Sequence, residues 1–238
     1  MDTELLYLQD AYLREFEAVV TGSVGEDGVT LDRTAFYPGG GGQPCDYGRL
    51  VDGDDVWQVV KTRRVDGQLV HYLDRPAPEP GRAVMGQLDW ERRFKLMRTH
   101  TAMHILCGVI WRDYGAPVTG GNMEPLQGRM DFEFETMRQE LVAAIETAIN
   151  KEVEAARPTH VQVLPREEAF QIPDLIRTKI NLLPEGITEV RTVELEGLDL
   201  QADGGTHVHN TREVGPIRVT DYKSKGKINK RIYVELEP

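Results

Sequence analysis

Short apolar stretches joined by Asp-Gly pairs run through the first 90 residues, and they restrict this part of the chain to a β fold. Asp27-Gly28 and Asp66-Gly67 each stand between two strand-like stretches. An Asp-Gly pair in this position is a strong short-range signal for a hairpin turn. The loosely alternating segment 82–90 can close such hairpins into a small barrel. We therefore predict a small β-barrel domain over residues 1–90, with strands at 16–20, 29–32, 56–60 and 68–73.

A glycine-rich loop interrupts these strands. Residues 38–44 have the sequence Pro-Gly-Gly-Gly-Gly-Gln-Pro, so the loop carries almost no side chains. The amide of Gln43 follows four glycines and can project into a cleft. The simpler interpretation, a plain connection between strands, stays open.

From residue 91 the pattern changes to mixed helices and strands. Residues 91–114 have the apolar periodicity of one long helix. Thr136 and Gln139 match a capping box that begins a second helix, and Pro158 stops it. A short helix is expected at 166–170, and strands are expected at 128–135, 160–164, 190–195, 214–219 and 231–236. The pattern predicts an α+β domain over residues 91–238, with helices on a mostly antiparallel sheet.

Composition argues against a membrane protein and against a disulfide-rich one. The longest apolar runs, such as 102–111, are too short to span a bilayer. Residues 1–10 contain acids and no apolar block behind a basic start, so we expect no secretory signal. Cys45 and Cys107 cannot build a disulfide framework. We expect a cytoplasmic protein.

The charge of the chain permits RNA binding without predicting it. A net charge of −11 argues mildly against a nucleic-acid partner, because phosphate contacts need local positive potential. Basic residues nevertheless cluster at 61–64, 92–98 and 223–231. Each cluster can equally be a solvated face, so its role has to be decided by other features.

Two histidines on the long helix are the first candidate metal ligands. His100 and His104 are four residues apart, which places both rings on one helix face, one turn apart. Such a pair alone is weak evidence, since two helix histidines can simply face solvent or a polar groove.

A second segment strengthens this pattern. Asp203-Gly-Gly-Thr-His207 holds an acid and a histidine around paired glycines, which permit a tight turn, and His209 follows two residues later. A turn with incidental polar residues is the alternative. Together the two segments supply three imidazoles and one carboxylate, which is enough for a tetrahedral site.

The order of these motifs resembles that of the editing domain of alanyl-tRNA synthetases and their free-standing relatives. His100-x-x-x-His104 is followed by Gly-Gly-Thr-His207-Val208, as in that family. Residues 31–48, with the glycine loop, are similar to its N-terminal signature, and residues 211–217 are similar to its C-terminal block. The four blocks lie in the same order over nearly the whole chain. The resemblance implies the longer free-standing form, with a barrel before the editing domain.

The resemblance also implies a metal site with one unusual ligand. It predicts one Zn²⁺ per chain held by His100, His104, Asp203 and His207, where the family normally has cysteine at the position of Asp203. A carboxylate keeps the negative charge but replaces a soft sulfur ligand with a hard oxygen, so another divalent metal is possible. The ion would hold the substrate's amino group or activate water, although four protein ligands leave no open position without expansion to five.

The implied reaction is hydrolysis, in trans, of the ester of a tRNA(Ala) that carries a wrong amino acid. Ser-tRNA(Ala) is the first expected substrate and Gly-tRNA(Ala) the second. No membrane and no obligatory protein partner are expected. We expect contacts to the amino acid from Gly41, Gly42, Gln43, Thr119 and Asn122, and contacts to RNA phosphates from Arg92, Arg93, Lys225, Lys227 and Lys230.

Several alternatives stay open. His209 could replace Asp203 as a ligand, or the site could be inactive, leaving a metal-depleted tRNA-binding or regulatory protein. A third alternative is an editing hydrolase for another aminoacyl-tRNA, because threonyl-tRNA editing domains share the ligand pattern. Cys107 is interpreted as a small buried thiol rather than an extra ligand, and His71 and His160 as structural or exposed.

Overall fold

The computed structural model describes residues 3–177 and 186–238. Contacts divide the chain into two compact units, Met1–Lys95 and Leu96–Pro238. The predicted fold class, a small barrel followed by an α+β part, is confirmed. Among the described residues, no helix is long and apolar enough to cross a membrane.

The first unit is built around a closed barrel of antiparallel strands. The barrel has the strand order β2-β3-β7-β6-β5-β8, and β1 pairs with β4 beside it. The strands in its described part, residues 3–95, are β1 (Glu4–Leu5), β2 (Glu15–Val24), β3 (Gly28–Leu31), β4 (Arg33–Thr34), β5 (Gly48–Asp52), β6 (Asp55–Val65), β7 (Gln68–Leu73) and β8 (Ala83–Leu88).

Alternation of side chains explains why these segments close into a barrel. In β2, Phe16, Ala18 and Val20 are buried while their neighbours face outward, which is the period of a half-buried strand. Gly86 on β8 lets the Phe16 ring lie against its backbone, since a Cβ there would be 2.4 Å from the ring. The hairpin predicted at Asp66-Gly67 is present, with positive φ at both residues.

In residues 96–177 and 186–238, which the structure describes, the second unit combines helices with two antiparallel sheets. One sheet has the order β14-β15-β10-β9 and the other β11-β12-β13. The helices are α1 (Trp90–Tyr114), α2 (Gln139–Glu154) and α3 (Arg166–Ala169), and α1 begins within the first unit. The strands are β9 (Val118–Glu124), β10 (Gln127–Glu133), β11 (Thr159–Pro165), β12 (Glu189–Leu195), β13 (Asp199–Ala202), β14 (Ile217–Ser224) and β15 (Asn229–Leu236).

The capping box predicted at Thr136 is wrong. Helix α2 begins only at Gln139, and its N-cap residue Arg138 has an extended backbone and no capping bond from its side chain. The chain is thus not yet helical at Thr136, where the local signal lies. Five strands, β1, β4, β5, β9 and β13, were also not predicted, because each is short or rich in glycine and polar residues.

The middle of α1 is buried on every side. All residues from Thr99 to Ile110 are buried, so this part of the helix lies in the core instead of presenting one apolar stripe. Polar side chains in this stretch therefore have to find partners inside the protein. His100, Thr101 and His104 are among them.

Candidate metal centre

Four ligand-type side chains converge between α1 and the loop that follows β13. His100 and His104 lie one turn apart on α1, while Asp203 and His207 come from the loop. Their ligand atoms all lie within 4.8 Å of one another, and the three imidazole ring centres are 4.2–5.1 Å apart. The structure thus brings together all four residues that the sequence predicted as metal ligands.

The loop is fixed in place by bonds to α1 and to β12. The backbone N–H of Asp203 donates to the carbonyl of Arg191 on β12, and the Arg191 guanidinium donates back to the Asp203 carbonyl. The N–H of Gly205 donates to the Asp203 carboxylate at 2.9 Å and closes the turn. The N–H of Val208 donates to the Thr101 hydroxyl. Asp203 and His207 therefore lie on a turn that these hydrogen bonds hold in place.

Asp203 lies between two of the imidazoles. One carboxylate oxygen is 2.8 Å from His207 Nε2, and the other is 3.7 Å from His100 Nε2. The other ring nitrogen of His207, Nδ1, is 3.2 Å from the Thr101 hydroxyl. The Nε2 atoms of His100 and His207 thus face the same carboxylate, as ligands of one ion would.

The electrostatics favour a ligand set that is ready to bind a cation. Burial lowers the pKa of His100 well below its ordinary value and lowers the pKa of His207 to about 4, so both rings are neutral at pH 7. Burial opposes ionisation of Asp203, but the adjacent His100 ring and the hydrogen bond from His207 lower its pKa well below the usual range. Two neutral imidazoles and one carboxylate are the protonation states that a metal requires.

His104 differs from the other two histidines because it faces a second carboxylate. Its Nδ1 is 2.9 Å from an oxygen of Asp199, a buried residue on β13. Burial alone would lower the pKa of His104, but the hydrogen bond and the negative charge of Asp199 raise it above the ordinary value. Nε2 is then the nitrogen of His104 that is available to the cluster.

The donor set fits zinc. Imidazole nitrogens and a carboxylate oxygen are common zinc ligands, and a tetrahedral shell would place them about 3.3 Å apart. The Asp203 oxygens lie 2.8 Å from Nε2 of His207 and 3.7 Å from Nε2 of His100, on either side of that value. His209 is exposed and lies outside the cluster, so the geometry favours Asp203 over His209 as the fourth ligand. Cys107 is a buried thiol, as predicted; it accepts a hydrogen bond from Gln201, and burial raises its pKa well above the ordinary value.

The glycine loop forms a tight turn in the first unit. Gly40 and Gln43 exchange backbone hydrogen bonds of 3.0 and 2.9 Å around Gly41 and Gly42, which both have positive φ. Glycine is the residue that takes up this conformation without strain. The Gln43 side chain is buried rather than extended into solvent. The proposed role of these residues in substrate selection stays a prediction.

Thr119 and Asn122 lie on β9 of the second unit. The Thr119 hydroxyl donates to the side-chain oxygen of Asn229 on β15, while Asn122 is exposed. Their proposed contacts with the amino acid also stay predictions.

Two of the residues predicted to contact RNA, Arg93 and Lys230, are buried in the structure. Arg93 is fully buried, and its guanidinium forms an ion pair with Asp46 and donates to the backbone carbonyls of Ala11 and Ala35. Lys230 is buried, and its ammonium donates to the carbonyls of Gly226 and Lys227. Through these contacts both cations stabilise the folded chain.

The other predicted RNA contacts remain at the surface. Lys225 and Lys227 are exposed at the tip of the hairpin between β14 and β15. Arg92 is partly exposed, with its guanidinium 4.1 Å from the centre of the Tyr47 ring.

Sequence reasoning missed the polar groups around the four ligands. Asp199 and Thr101 contact His104 and His207, and neither was singled out. The alternating polar residues of Asp199-Leu-Gln-Ala, just before the Asp203 loop, were a usable strand signal. The pairing of Asp199 with a histidine 95 residues away carries no such signal.

Comparison with known proteins identifies close relatives. Residues 190–233 match the model described as "Threonyl and Alanyl tRNA synthetase second additional domain", and residues 6–92 match "tRNA synthetases class II (A)". The chain is 38% identical to an alanyl-tRNA editing protein AlaX-M of Methanosarcina acetivorans, over 98% of this chain and 99% of the relative. It is 40% identical to the protein of that name in Saccharolobus solfataricus, over 99% and 100%. It is also 39% identical to the alanine–tRNA ligase of Ignicoccus hospitalis, over 91% of this chain and 24% of the ligase.

Proposed function

Because the chain belongs to the family of alanyl-tRNA editing proteins, we propose that it is a metal-dependent hydrolase that removes a wrong amino acid from tRNA(Ala). It acts in trans, with residues 1–90 as the barrel domain and residues 91–238 as the editing domain. It works in the cytoplasm, where charged tRNA is used.

The observation that carries this proposal is the cluster of His100, His104, Asp203 and His207. Relatives named as editing proteins match the chain from end to end, and the cluster supplies the chemistry that ester hydrolysis needs. Four ligand-type side chains within 4.8 Å of one another, almost all of them buried, are hard to explain without a cation. We propose that these four residues hold Zn²⁺ or another divalent ion.

The reaction is the attack of water on the ester carbonyl between the amino acid and the terminal adenosine. When bound, the ion supplies Lewis acidity, which stabilises the negative charge that develops at that carbonyl. The braced turn that carries Asp203 and His207 fixes two of the ligands before substrate arrives. Such a pre-organised site avoids reorganisation during the reaction.

We propose Ser-tRNA(Ala) as the main substrate and Gly-tRNA(Ala) as the second. A site that hydrogen-bonds a hydroxyl discriminates more strongly than one that senses only size, so serine is the amino acid most easily separated from alanine. The exposed lysines at the β14–β15 hairpin tip, with Arg92, are the proposed contacts to RNA phosphates.

The test combines metal analysis with deacylation of charged tRNA. Purified protein is expected to carry one metal ion per chain and to release serine from Ser-tRNA(Ala) while leaving Ala-tRNA(Ala) intact. Removal of the metal with a chelator is expected to abolish release, and re-addition of Zn²⁺ to restore it. His207→Ala is expected to lose both metal and activity. His160→Ala, which changes an exposed histidine on β11, is the matched control and is expected to keep both.

Two results would contradict the proposal. A protein with stoichiometric metal that deacylates no mischarged tRNA would exclude the hydrolase. A protein without metal, whose Asp203→Cys variant gains it, would instead support the metal-depleted binding protein. Release of another amino acid from its own mischarged tRNA, but not of serine or glycine from tRNA(Ala), would leave the hydrolase and change its substrate.

A further inference from the structure

Strand β13 places two polar side chains on the face that it turns towards α1. Asp199 and Gln201 are two residues apart and so lie on the same side of the strand. Asp199 is almost completely buried, and one of its carboxylate oxygens is 2.9 Å from Nδ1 of His104. This carboxylate lies behind the candidate metal ligand, on the side of the ring opposite to Nε2.

A glycine in α1 permits this close approach. Gly108 lies one turn after His104, and a Cβ there would be 2.9 Å from Leu198 Cγ and 3.0 Å from Asp199 Cβ. Any larger residue would push the start of β13 away from the helix. The backbone is thus shaped to bring the Asp199 carboxylate within hydrogen-bonding distance of His104.

Two further side chains lie close to the Asp199 carboxylate. The Gln201 amide donates to the same oxygen at 2.6 Å and also to the Cys107 sulfur at 3.4 Å. The Arg177 guanidinium lies 3.9 Å from the second Asp199 oxygen and packs over the Trp111 ring. A buried carboxylate costs free energy unless it is paired and hydrogen-bonded. These contacts fix the orientation of the Asp199 carboxylate.

We propose that Asp199 is a positioning residue that holds the proton of His104 on Nδ1 and so presents Nε2 to the metal. An ionised carboxylate can only accept a hydrogen bond, so the ring nitrogen that faces it must carry the hydrogen. The other nitrogen then keeps its lone pair, and the orientation of the ring is fixed. This inference rests on the proposed metal site, because it assigns the partner that orients one of its ligands.

The sharpest variant is Asp199→Asn, which keeps the size of the side chain and removes its charge. The neutral amide is a weaker acceptor than the carboxylate and can also present its NH2 group to Nδ1 of His104, so the hydrogen is no longer held on Nδ1 and can move to Nε2, the wrong nitrogen for metal binding. We expect the affinity for Zn²⁺ and Co²⁺, measured by chelator competition on the full-length protein, to fall about 10- to 100-fold. Cys107→Ser is the matched control, since it changes the far partner of Gln201 and leaves the His104–Asp199 bond intact. The metal affinity of Cys107→Ser is expected to stay within about twofold of the wild-type affinity.

Ring-nitrogen NMR provides a readout that a merely structural role would not change. In metal-free wild type, at a pH where the NMR spectrum shows the ring to be neutral, His104 is expected to carry the hydrogen on Nδ1, with assignment from His104→Gln. In Asp199→Asn a larger share of the hydrogen is expected on Nε2 than in wild type. The thermal midpoint and circular dichroism of the metal-free variant establish that it is folded.

The results of these measurements distinguish a failure of the inference about Asp199 from a failure of the proposed function. Wild type with the hydrogen on Nε2 overturns the inference, whether or not Asp199→Asn folds. A folded Asp199→Asn protein with wild-type metal affinity also overturns it, while metal-dependent deacylation by wild type would leave the proposed function intact. Conversely, wild type with the hydrogen on Nδ1 but no bound metal would support the orientation of His104 and contradict the metal-dependent hydrolase.

Discussion

At the scale of single residues, Asp203 decides how firmly the cluster holds a metal. The resemblance to the editing family implies cysteine at this position, and the structure places the carboxylate between two imidazoles. A thiolate is a softer and stronger donor for zinc than a carboxylate. Asp keeps the negative charge that balances the ion, so the site should be weakened rather than lost.

The first prediction follows from this charge. Asp203→Asn is expected to lower zinc affinity at least about tenfold, because it removes the only carboxylate among the four ligands. Asp203→Cys is expected to bind zinc more tightly than wild type. Metal-to-protein ratios after dialysis against graded chelator measure both effects. Asp221→Asn, at an exposed position of β14, is the control. Retention of wild-type affinity by Asp203→Asn would exclude Asp203 as a ligand.

His71 gives a second prediction at this scale. It is fully buried in the barrel beside the Thr34 hydroxyl, and burial lowers its pKa from 6.5 to about 4. Between these two values the unfolded chain binds a proton that the folded chain does not, so the stability present above pH 6.5 is lost as the pH falls. The loss between pH 7.5 and pH 5 should be about 2 kcal/mol.

Denaturant unfolding at pH 7.5 and pH 5 measures this loss. Other groups also titrate in this range, so the informative quantity is the difference between wild type and His71→Gln. The variant should lose about 2 kcal/mol less than wild type on acidification. His160→Gln, at an exposed site, should behave like wild type. An equal loss in wild type and in His71→Gln would show that His71 is not protonated selectively in the unfolded chain.

At the scale of elements, the sequence predicted the helices and strands that have a clear local pattern. It missed the elements whose position depends on residues far away in the chain. The hairpin at Asp66-Gly67 follows from local turn chemistry, and helix α1 and the strands β14 and β15 follow from runs of apolar residues. Strand β13 alternates two polar with two apolar residues, but a pattern of four residues is too short to predict its pairing with β12. The two histidine motifs could be found from spacing alone, but the buried carboxylate behind His104 could not.

The start of helix α1 shows the same limit and gives a third prediction. Arg92 and Arg93 are neighbours of identical type, yet only Arg93 is buried against Asp46, 47 residues earlier. Arg93→Met should destabilise the protein by about 3–5 kcal/mol, because it leaves a buried carboxylate without its partner. Arg92→Met should cost much less, since this side chain is partly exposed. Equal losses, measured by denaturant unfolding, would contradict a specific role for the Arg93–Asp46 pair.

At the scale of the whole molecule, a chain with a net charge of −11 can bind tRNA only where its cations are grouped and free. Arg93 and Lys230 are buried and bonded to groups inside the protein, so they are not among these free cations. Lys225 and Lys227 at the β14–β15 tip remain exposed. If each contacts one phosphate, the salt dependence of binding should reveal both contacts.

The fourth prediction concerns this salt dependence. Lys225→Ala together with Lys227→Ala should weaken the binding of tRNA(Ala) and reduce the slope of log affinity against log salt concentration by about 2. Arg138→Ala with Lys151→Ala, which removes two exposed cations at α2, is the matched control and should leave the slope unchanged. Binding measured at several salt concentrations separates the two pairs. An unchanged slope in the lysine variant would place the RNA on another face of the protein. The proposed metal centre would not be affected by that result, because it depends on buried residues of α1 and the Asp203 loop.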